Sequence, residues 1–147
     1  MKETVRIKKL NDAARIPTYG SEYSAGADLY ACTETDIVIE PGETVVVKTG
    51  IAMEIPVGYA GFIYARSGLA TKEGLAPANK VGVVDADYRG EIMVALHNHS
   101  KETRTVTAGE RIAQMVIAPF LTAEFLPCEE LSDTVRGEGG FGSTGKQ

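Results

Sequence analysis

The sequence predicts an all-β fold, a sandwich or a barrel, on three observations. Its apolar runs are short, and about ten of them follow one another at roughly 8–12 residue spacing. Proline and glycine punctuate these runs, as in Pro41-Gly42 and Ala108-Gly109, which is typical of hairpins and loops. No segment of useful length repeats its apolar residues every 3.6 positions, so long helices are not expected.

The individual strands are predicted from apolar runs that stop at turn residues. Pro41-Gly42-Glu43 and Pro56-Val57-Gly58 each separate two such runs, as expected for turns between neighbouring strands. The predicted strands cover residues 5–10, 36–40, 44–48, 51–55, 59–64, 82–84, 92–96, 104–106, 111–120 and 123–126.

The one predicted helix is short and covers residues 67–74. Ser67 can cap its start, and Gly74 can end it in the left-handed conformation. Arg66 directly precedes the helix, so free amides, a hydroxyl and a guanidinium could converge into an anion site. A capped linker helix with a surface arginine accounts for the same residues, and the local sequence leaves both alternatives open.

A dense polar stretch follows the predicted strand at 82–84, reading Asp85-Ala86-Asp87-Tyr88-Arg89-Gly90-Glu91. Because another apolar run begins at Ile92, we predict a hairpin with a tight polar turn. Asp85 and Asp87 are two residues apart, so they share a face of an extended segment. Either they cap backbone amides at the turn, or one of them activates a water molecule.

The C-terminal segment differs from the rest of the chain. Residues 136–147 contain five glycines and a single large apolar side chain, Phe141. Such a segment cannot form a core, so we predict a body at 1–135 and a flexible lid at 136–147. Backbone amides and hydroxyls suit phosphates, and an aromatic ring suits stacking on a flat base.

Composition and charge exclude several classes of protein. A net charge of −5 argues against a protein that coats nucleic acid or binds a membrane surface. No apolar run is long enough to span a membrane, and the opening residues lack a hydrophobic signal segment. Cys32 and Cys128 are far apart and outside any C-x-x-C motif, so we expect two reduced cysteines and a cytoplasmic location.

Three familiar motifs are matched only in part. The tail from Gly140 to Lys146 fits a phosphate-binding loop, but Gln147 stands where a magnesium-binding serine or threonine is needed. A calcium loop beginning at Asp85 fails because Arg89 and Leu96 occupy ligand positions. His97 and His99 share a strand face without an evident third ligand, so a metal site there is not expected.

Five polar segments together resemble the homotrimeric dUTPase family, in that family's order and with similar spacing. The segments span residues 25–145, nearly the whole chain, and five in order are far more specific than any one alone. They are Ser24-Ala25-Gly26-Ala27-Asp28-Leu29, Ala65-Arg66-Ser67-Gly68-Leu69-Ala70, the stretch from Gly82 to Glu91, Gly109-Glu110-Arg111-Ile112-Ala113-Gln114-Met115, and the glycine-rich tail.

The resemblance implies a jelly-roll-like β-barrel and hydrolysis of dUTP to dUMP and pyrophosphate by attack of water on the α-phosphorus. It implies that Asp85 orients and activates the water, a role that suits a carboxylate in phosphoryl transfer. Tyr88 would pack against the deoxyribose and exclude a 2′-hydroxyl by steric clash. The residues implied to form the uracil pocket are Asn79, Val83, Val84 and, on the returning strand, Met93.

The same resemblance assigns the phosphates and the metal. Asp28 would engage Mg²⁺ through water only, the metal being held mainly by the three phosphates. The tail would close as a lid on the substrate, and each site of a homotrimer would draw residues from three chains. The residues implied to contact the phosphates are Arg66, Ser67, Gly68, Gln114, Arg136, Gly142, Ser143 and Thr144, and Phe141 would stack on the uracil.

Two other functions compete with this assignment. A dCTP deaminase-type relative would share the fold but activate water at the base. The Gly-Leu-Ala sequence after Ser67 and the intact Asp85-Ala86-Asp87-Tyr88 favour dUTP hydrolysis. A non-catalytic, regulatory nucleotide-binding barrel would have been favoured by the loss of Asp85, Tyr88 or Phe141, and all three are present.

Overall fold

A computed structural model describes residues 2–145 and confirms the all-β prediction. Met1 of the predicted body, and Lys146 and Gln147 of the predicted lid, lie outside the described residues. The described chain forms eleven strands and one short π-helix, Leu69–Glu73. The strands are β1 Arg6–Lys9, β2 Thr18–Tyr19, β3 Ala27–Tyr30, β4 Ile37–Ile39, β5 Thr44–Glu54, β6 Tyr59–Tyr64, β7 Leu75–Pro77, β8 Gly82–Val84, β9 Glu91–Asn98, β10 Arg104–Val106 and β11 Arg111–Pro119.

The strands form two main antiparallel sheets, as in a jelly roll. One sheet has four strands in the order β1-β5-β9-β7, and the other has five in the order β2-β3-β11-β6-β8. A separate two-stranded sheet pairs β10 with β4. The long strands β5, β9 and β11 therefore lie inside their sheets, where both edges are hydrogen-bonded.

The core lies between the inner faces of these sheets. In β9 the side chains of Ile92, Val94 and Leu96 are buried and alternate with more exposed neighbours, which is the two-residue period of a half-buried strand. Each fully buried aliphatic side chain contributes about 1.5–3 kcal/mol to folding. The fully buried aliphatic residues include Leu29, Ile39, Val47, Ile51, Leu75, Ile92, Leu96, Val106 and Ile112.

Residues 82–96 do not form the predicted hairpin. Strand β8 pairs with β6, whereas β9 pairs with β5 and β7 in the other sheet. The polar stretch that begins at Asp85 is therefore a crossover between sheets. Two apolar runs around a polar turn are equally compatible with a hairpin and with such a crossover, since only tertiary pairing distinguishes them.

Other strand predictions also needed correction. The runs at 44–48 and 51–55 belong to one strand, β5, whose pairing with β9 is irregular between Lys48 and Ala52. Gly50 lies in that irregularity with φ +70°, a conformation that favours glycine. Residues 123–126 form no strand and are exposed. Strands β2, β3 and β7 were missed because two to four residues carry little periodic signal.

The helix prediction is correct in position but wrong in its start. Gly74 ends the helix in the left-handed conformation, and its amide donates to the Leu69 carbonyl. No side-chain hydrogen bond caps the start of the helix, so Ser67 is not its cap. The contact of Ser67 with the helix is through its carbonyl, which accepts from Thr71 Oγ1 over 2.6 Å. Within residues 2–145, no helix has the length and apolar character needed to cross a membrane.

Candidate active site

Asp28 forms the centre of a charged cluster built by strand pairing. Its Oδ1 accepts from Arg66 Nε over 3.0 Å, and its Oδ2 lies 3.5 Å from Arg111 Nη1. Strand β11 pairs with β3 on one side and β6 on the other, with Gln114 opposite both Asp28 and Tyr64. Because the Asp28 side chain is only 12% exposed, this carboxylate holds two guanidinium groups in fixed positions.

Gln114 is fixed in the same sheet by two contacts. Its Nε2 donates to the Ala65 carbonyl over 2.8 Å, directly before Arg66. Its Oε1 lies against Gly26, where an added Cβ would overlap the side-chain amide. Three of the predicted segments are therefore brought together at three adjacent strands of one sheet, β3, β11 and β6. They are the segment of Gly26 and Asp28, the segment of Arg66 and the segment of Gln114.

A cationic cleft opens beside this cluster. It contains the predicted residues Arg66 and Gly68, whereas Ser67, which stands between them in the sequence, is exposed and does not line it. The Arg15 guanidinium lies 5.5 Å from the centroid of the Tyr30 ring, which holds it at the rim. Sequence reasoning missed four residues of this cleft, although Arg111 stands inside a segment that was singled out. They are Arg15, Tyr30, Lys72 and Arg111, alongside the acidic Glu73 and Glu110.

Asp85 lies elsewhere, at the start of the crossover loop. The Tyr88 amide donates to the Asp85 carbonyl over 3.1 Å, which closes a tight turn. The Asp85 side chain is exposed and takes part in none of the ion pairs within the described chain. It lines a second cleft with Arg6, Glu54 and Phe120. An exposed carboxylate without a cation partner is free to orient a water molecule.

Tyr88 is folded back over its own loop. Its hydroxyl donates to the Glu91 carbonyl over 2.8 Å, and the residue is 41% exposed. Met93, on β9, is 43% exposed. The Tyr88 hydroxyl is therefore anchored, while the exposed part of the side chain remains available to a substrate.

Arg89 braces the loop through backbone carbonyls. Its Nη1 donates to the carbonyls of Ala86 over 2.6 Å and Tyr88 over 3.3 Å, and its Nη2 lies 3.4 Å from Glu54 Oε1. Glu54 in turn pairs with Arg6. Among the ion pairs of the described chain, Arg89 therefore pairs with Glu54 on β5 and not with Asp87, which is nearer in sequence.

The predicted uracil-reading residues lie on and before β8. Val83 is 60% exposed and Val84 8%, so Val83 offers its side chain and Val84 only its backbone. Asn79 is exposed and lies in the preceding turn, where Lys80 adopts φ +67°. Strand β8 pairs along one edge with β6, which leaves backbone groups on its other edge for a ligand.

Among the described residues, the tail makes hydrogen bonds with itself and with Thr134, whose Oγ1 accepts from the Gly137 amide over 3.0 Å. Arg136 Nε donates to the Gly139 carbonyl over 2.8 Å, and the Ser143 amide donates to the Gly140 carbonyl over 3.1 Å. Phe141 is fully exposed, and Gly142 adopts φ +88°. The predicted lid residues Gly142, Ser143 and Thr144 are all exposed, so the structure brings none of them to either cleft.

Tyr59 has a raised pKa. Its hydroxyl donates to Glu3 Oε1 over 2.9 Å, beside Gly58 of the second cleft. This hydrogen bond and the charge of Glu3 raise the pKa of Tyr59 above its usual value of 10.0.

The possible metal ligands of the described chain do not form a preassembled site. Among residues 2–145, no three His, Cys, Asp or Glu side chains converge as a metal site. The Asp28 carboxylate already contacts two arginines and keeps further lone pairs for a water molecule. This donor set suits a hydrated ion that is held by a ligand's phosphates and not by a protein cage.

Comparisons with known proteins agree with the geometry. The model of the dUTPase family matches residues 12–145. The deoxyuridine 5′-triphosphate nucleotidohydrolase of Nautilia profundicola is 53% identical over 142 residues, which cover 97% of this chain and 99% of the relative. A solved structure of the Staphylococcus bacteriophage 80alpha dUTPase with dUPNHPP is 33% identical, with a TM-score of 0.89 over 99% of this chain and all of that chain. A mutant dUTPase from phage phi11 of S. aureus, described as coordinating a structural Mg(II) ion, is 28% identical, with a TM-score of 0.78 over 87% of this chain and 98% of that chain.

Proposed function

The chain belongs to the dUTPase family, and we propose that it hydrolyses dUTP to dUMP and pyrophosphate by attack of water on the α-phosphorus. The reaction removes dUTP from the precursors of DNA and supplies dUMP for thymidylate synthesis. The observation that carries the proposal is the cationic cleft in which Asp28 holds Arg66 and Arg111 beside Gly68. A triphosphate is the ligand that such a cleft suits best.

Asp85 orients and activates the water. Its carboxylate is exposed and without a cation partner in the described chain, so it stays free to accept a proton or a hydrogen bond. Phosphoryl transfer needs positioning and charge stabilisation more than a strong base, which suits an aspartate. The turn that joins the Asp85 carbonyl to the Tyr88 amide fixes this carboxylate relative to the ring that contacts the sugar.

Base and sugar are read by the neighbouring segments. Asn79 and the backbone of Val83 and Val84 bind the uracil edge, and Met93 lines the same pocket. Tyr88 packs against C2′ and leaves no space for a hydroxyl, so UTP is excluded. A narrow pocket also rejects the methyl group of thymine and the amino group of cytosine.

The phosphates are gripped from two sides. Arg66, Ser67, Gly68 and Gln114 contact them from the sheet. Mg²⁺, held mainly by the phosphates and through water by Asp28, supplies neutralisation of their charge when bound. The segment after Val135 closes as a lid and excludes water from the developing charge. Its residues in contact with substrate are Arg136, Gly142, Ser143 and Thr144 on the phosphates and Phe141 on the uracil.

A homotrimer with shared active sites is supported by two features. Arg66 and Asp85 line different clefts of one chain, so one chain alone leaves the machinery divided. The segment that links β11 to the lid also carries an apolar row that nothing in the described chain covers. This row consists of Leu121, Phe125, Leu126, Leu131 and Val135. Contact with other copies would bury these side chains and complete each site.

The other functional assignments follow from the same chemistry. A dCTP deaminase is not favoured, since the family match and the named relatives point to dUTP. The two free cysteines, Cys32 and Cys128, support a cytoplasmic location, where thiols stay reduced.

A substrate panel tests the function. Pyrophosphate release is measured with Mg²⁺ on dUTP, UTP, dTTP and dCTP at equal concentrations, with ammonia release followed on dCTP. We expect rapid release from dUTP and little from the others. Comparable rates on UTP would remove Tyr88 from its proposed role, and ammonia from dCTP would establish the deaminase instead.

A further inference from the structure

Gly90 lies directly beneath the Tyr88 ring. A Cβ added at Gly90 would lie 2.5 Å from the Tyr88 hydroxyl oxygen, 2.6 Å from its Cζ and 2.9 Å from its Cε2. All three of the nearest atoms therefore belong to one side chain. Contacts below 3 Å between carbon atoms are strongly repulsive, so the ring and a side chain at position 90 cannot both keep these positions.

The backbone does not itself demand glycine at this position. Gly90 does not adopt a positive φ, whereas Gly42, Gly50 and Gly109 do. An alanine could adopt the same backbone conformation without the strain of the left-handed region. The space taken by the Tyr88 ring is therefore what selects a residue without a side chain.

The ring is held on both sides of Gly90. Its chain connection is at Tyr88, and its hydroxyl is anchored to the Glu91 carbonyl over 2.8 Å. The ring therefore lies across Gly90, with one surface against the glycine, and Tyr88 as a whole is 41% exposed to solvent. The ring can lie this close to the loop backbone because Gly90 has no Cβ beneath it.

We propose that Gly90 is a specificity-determining residue for the sugar: by letting Tyr88 lie flat on the loop, it sets the position at which the ring meets C2′ of the nucleotide. The proposal rests on the proposed function and on the role of Tyr88 within it. A side chain at position 90 lifts the ring and breaks its bond to Glu91. A ring that is no longer fixed discriminates poorly, because steric exclusion needs a rigid wall.

The experiment compares kcat/KM for dUTP and UTP in the full-length protein and in Gly90→Ala. We expect the dUTP-to-UTP ratio to fall by about tenfold or more, the scale of a steric discrimination of one small group. Gly20→Ala is the matched control, since Gly20 also has no positive φ and its nearest neighbour, Ser24 Oγ, is 3.9 Å from an added Cβ. The control should keep the wild-type ratio.

A double-mutant cycle separates an effect through Tyr88 from a general defect of the loop. Tyr88→Ala removes the atoms that a Cβ at position 90 would meet, so Gly90→Ala should change the ratio little in that background. The double variant should also fold as well as Tyr88→Ala alone, even if Gly90→Ala by itself does not fold. A further loss of the ratio or of folding in the double variant overturns the proposal.

Failure of the inference is distinct from failure of the function. If the wild-type protein releases no pyrophosphate from dUTP, the proposed function is wrong and the inference falls with it. If the wild type discriminates against UTP and a folded Gly90→Ala keeps the same ratio, only the inference about Gly90 is overturned.

Discussion

The side-chain amide of Gln114 donates a hydrogen bond to the carbonyl of Ala65 over 2.8 Å. This bond joins the middle of β11 to the residue that precedes Arg66, and it turns the Gln114 Oε1 toward Gly26. The first, second and fourth sequence segments are thereby locked to one another. A substitution that displaces any of these segments should therefore also displace the side chains that are proposed to bind the phosphates.

Gly26→Ala should weaken substrate binding through Gln114. The added methyl group overlaps the side-chain amide, so Gln114 must leave Ala65. Loss of one such hydrogen bond costs about 0.5–1.5 kcal/mol, so KM for dUTP should rise by up to about tenfold. Steady-state kinetics measures this change, with Gly20→Ala as the control. An unchanged KM in a folded Gly26→Ala protein would show that Gln114 does not contact the substrate.

Asp85→Asn should separate binding from turnover. The amide keeps the size of the side chain but cannot accept a proton, and general-base groups contribute about 10²–10⁴-fold. We expect kcat to fall within that range while the Kd for a non-hydrolysable imido analogue of dUTP, measured by calorimetry, stays within a few-fold. Asp87→Asn, the same change two residues along in the exposed loop, is the control. Retained turnover in Asp85→Asn would mean that another group activates the water.

Asp28→Asn should affect both the arginines and the metal. The change removes the negative charge that both arginines contact, and it replaces one of the two acceptor oxygens with an amide donor. KM for dUTP should rise, and the Mg²⁺ concentration for half-maximal activity should rise as well, because the water-mediated ligand is lost. Arg111→Ala disturbs the cluster without removing the carboxylate, so it should raise KM alone. Equal Mg²⁺ midpoints in both variants would remove Asp28 from the metal site.

Part of this site could be predicted because several of its functional residues lie within the same short segments of the sequence. Arg66 and Gly68, or Asp85 and Tyr88, are close in sequence, so their proximity needs no knowledge of the fold. The contacts between segments were not predictable in this way. The ion pair of Asp28 with Arg111 and the bond from Arg89 to Glu54 join residues 83 and 35 positions apart. Only strand pairing brings them together.

The errors in the fold prediction have the same physical origin. The apolar pattern of residues 82–84 and 92–96 indicated strands correctly, but pairing energy between distant strands decided that β8 and β9 belong to different sheets. The apolar residues Phe125 and Leu126 resemble a strand, yet no neighbour in the described chain offers them an edge, and they stay exposed at 90% and 82%. A local apolar pattern therefore predicts a buried strand only where the fold supplies a neighbouring strand for it to pair with.

Removal of the chain after Val135 should leave a folded but poorly active protein. The hydrogen bonds of the described tail stay within it except for one to Thr134, which is exposed and belongs to no strand. The unfolding temperature should therefore stay close to that of the intact protein. Turnover should fall by more than about tenfold because the phosphates lose their cover. Phe141→Ala tests the ring separately: stacking on a base is worth about 1–3 kcal/mol, so KM should rise roughly 5- to 150-fold. Full activity of the truncated protein would refute the lid.

Mixing two inactive variants should restore activity if the sites are shared between chains. Asp85→Asn and Arg66→Ala each destroy a different part of the site, and these residues line different clefts of one chain. In a trimer mixed at random from equal amounts, a site that takes Arg66 from one chain and Asp85 from another is intact in about one quarter of cases. Co-expression with two affinity tags isolates the mixed assemblies and removes the inactive homotrimers. Each mixed trimer then has one intact site in three, so its kcat per site should approach about one third of wild type. A mixture of Asp85→Asn with its own tagged copy controls for contamination. If mixed assemblies stay as inactive as their parents, Arg66 and Asp85 act within a single chain, and the structure must then bring the two clefts together by a change within that chain.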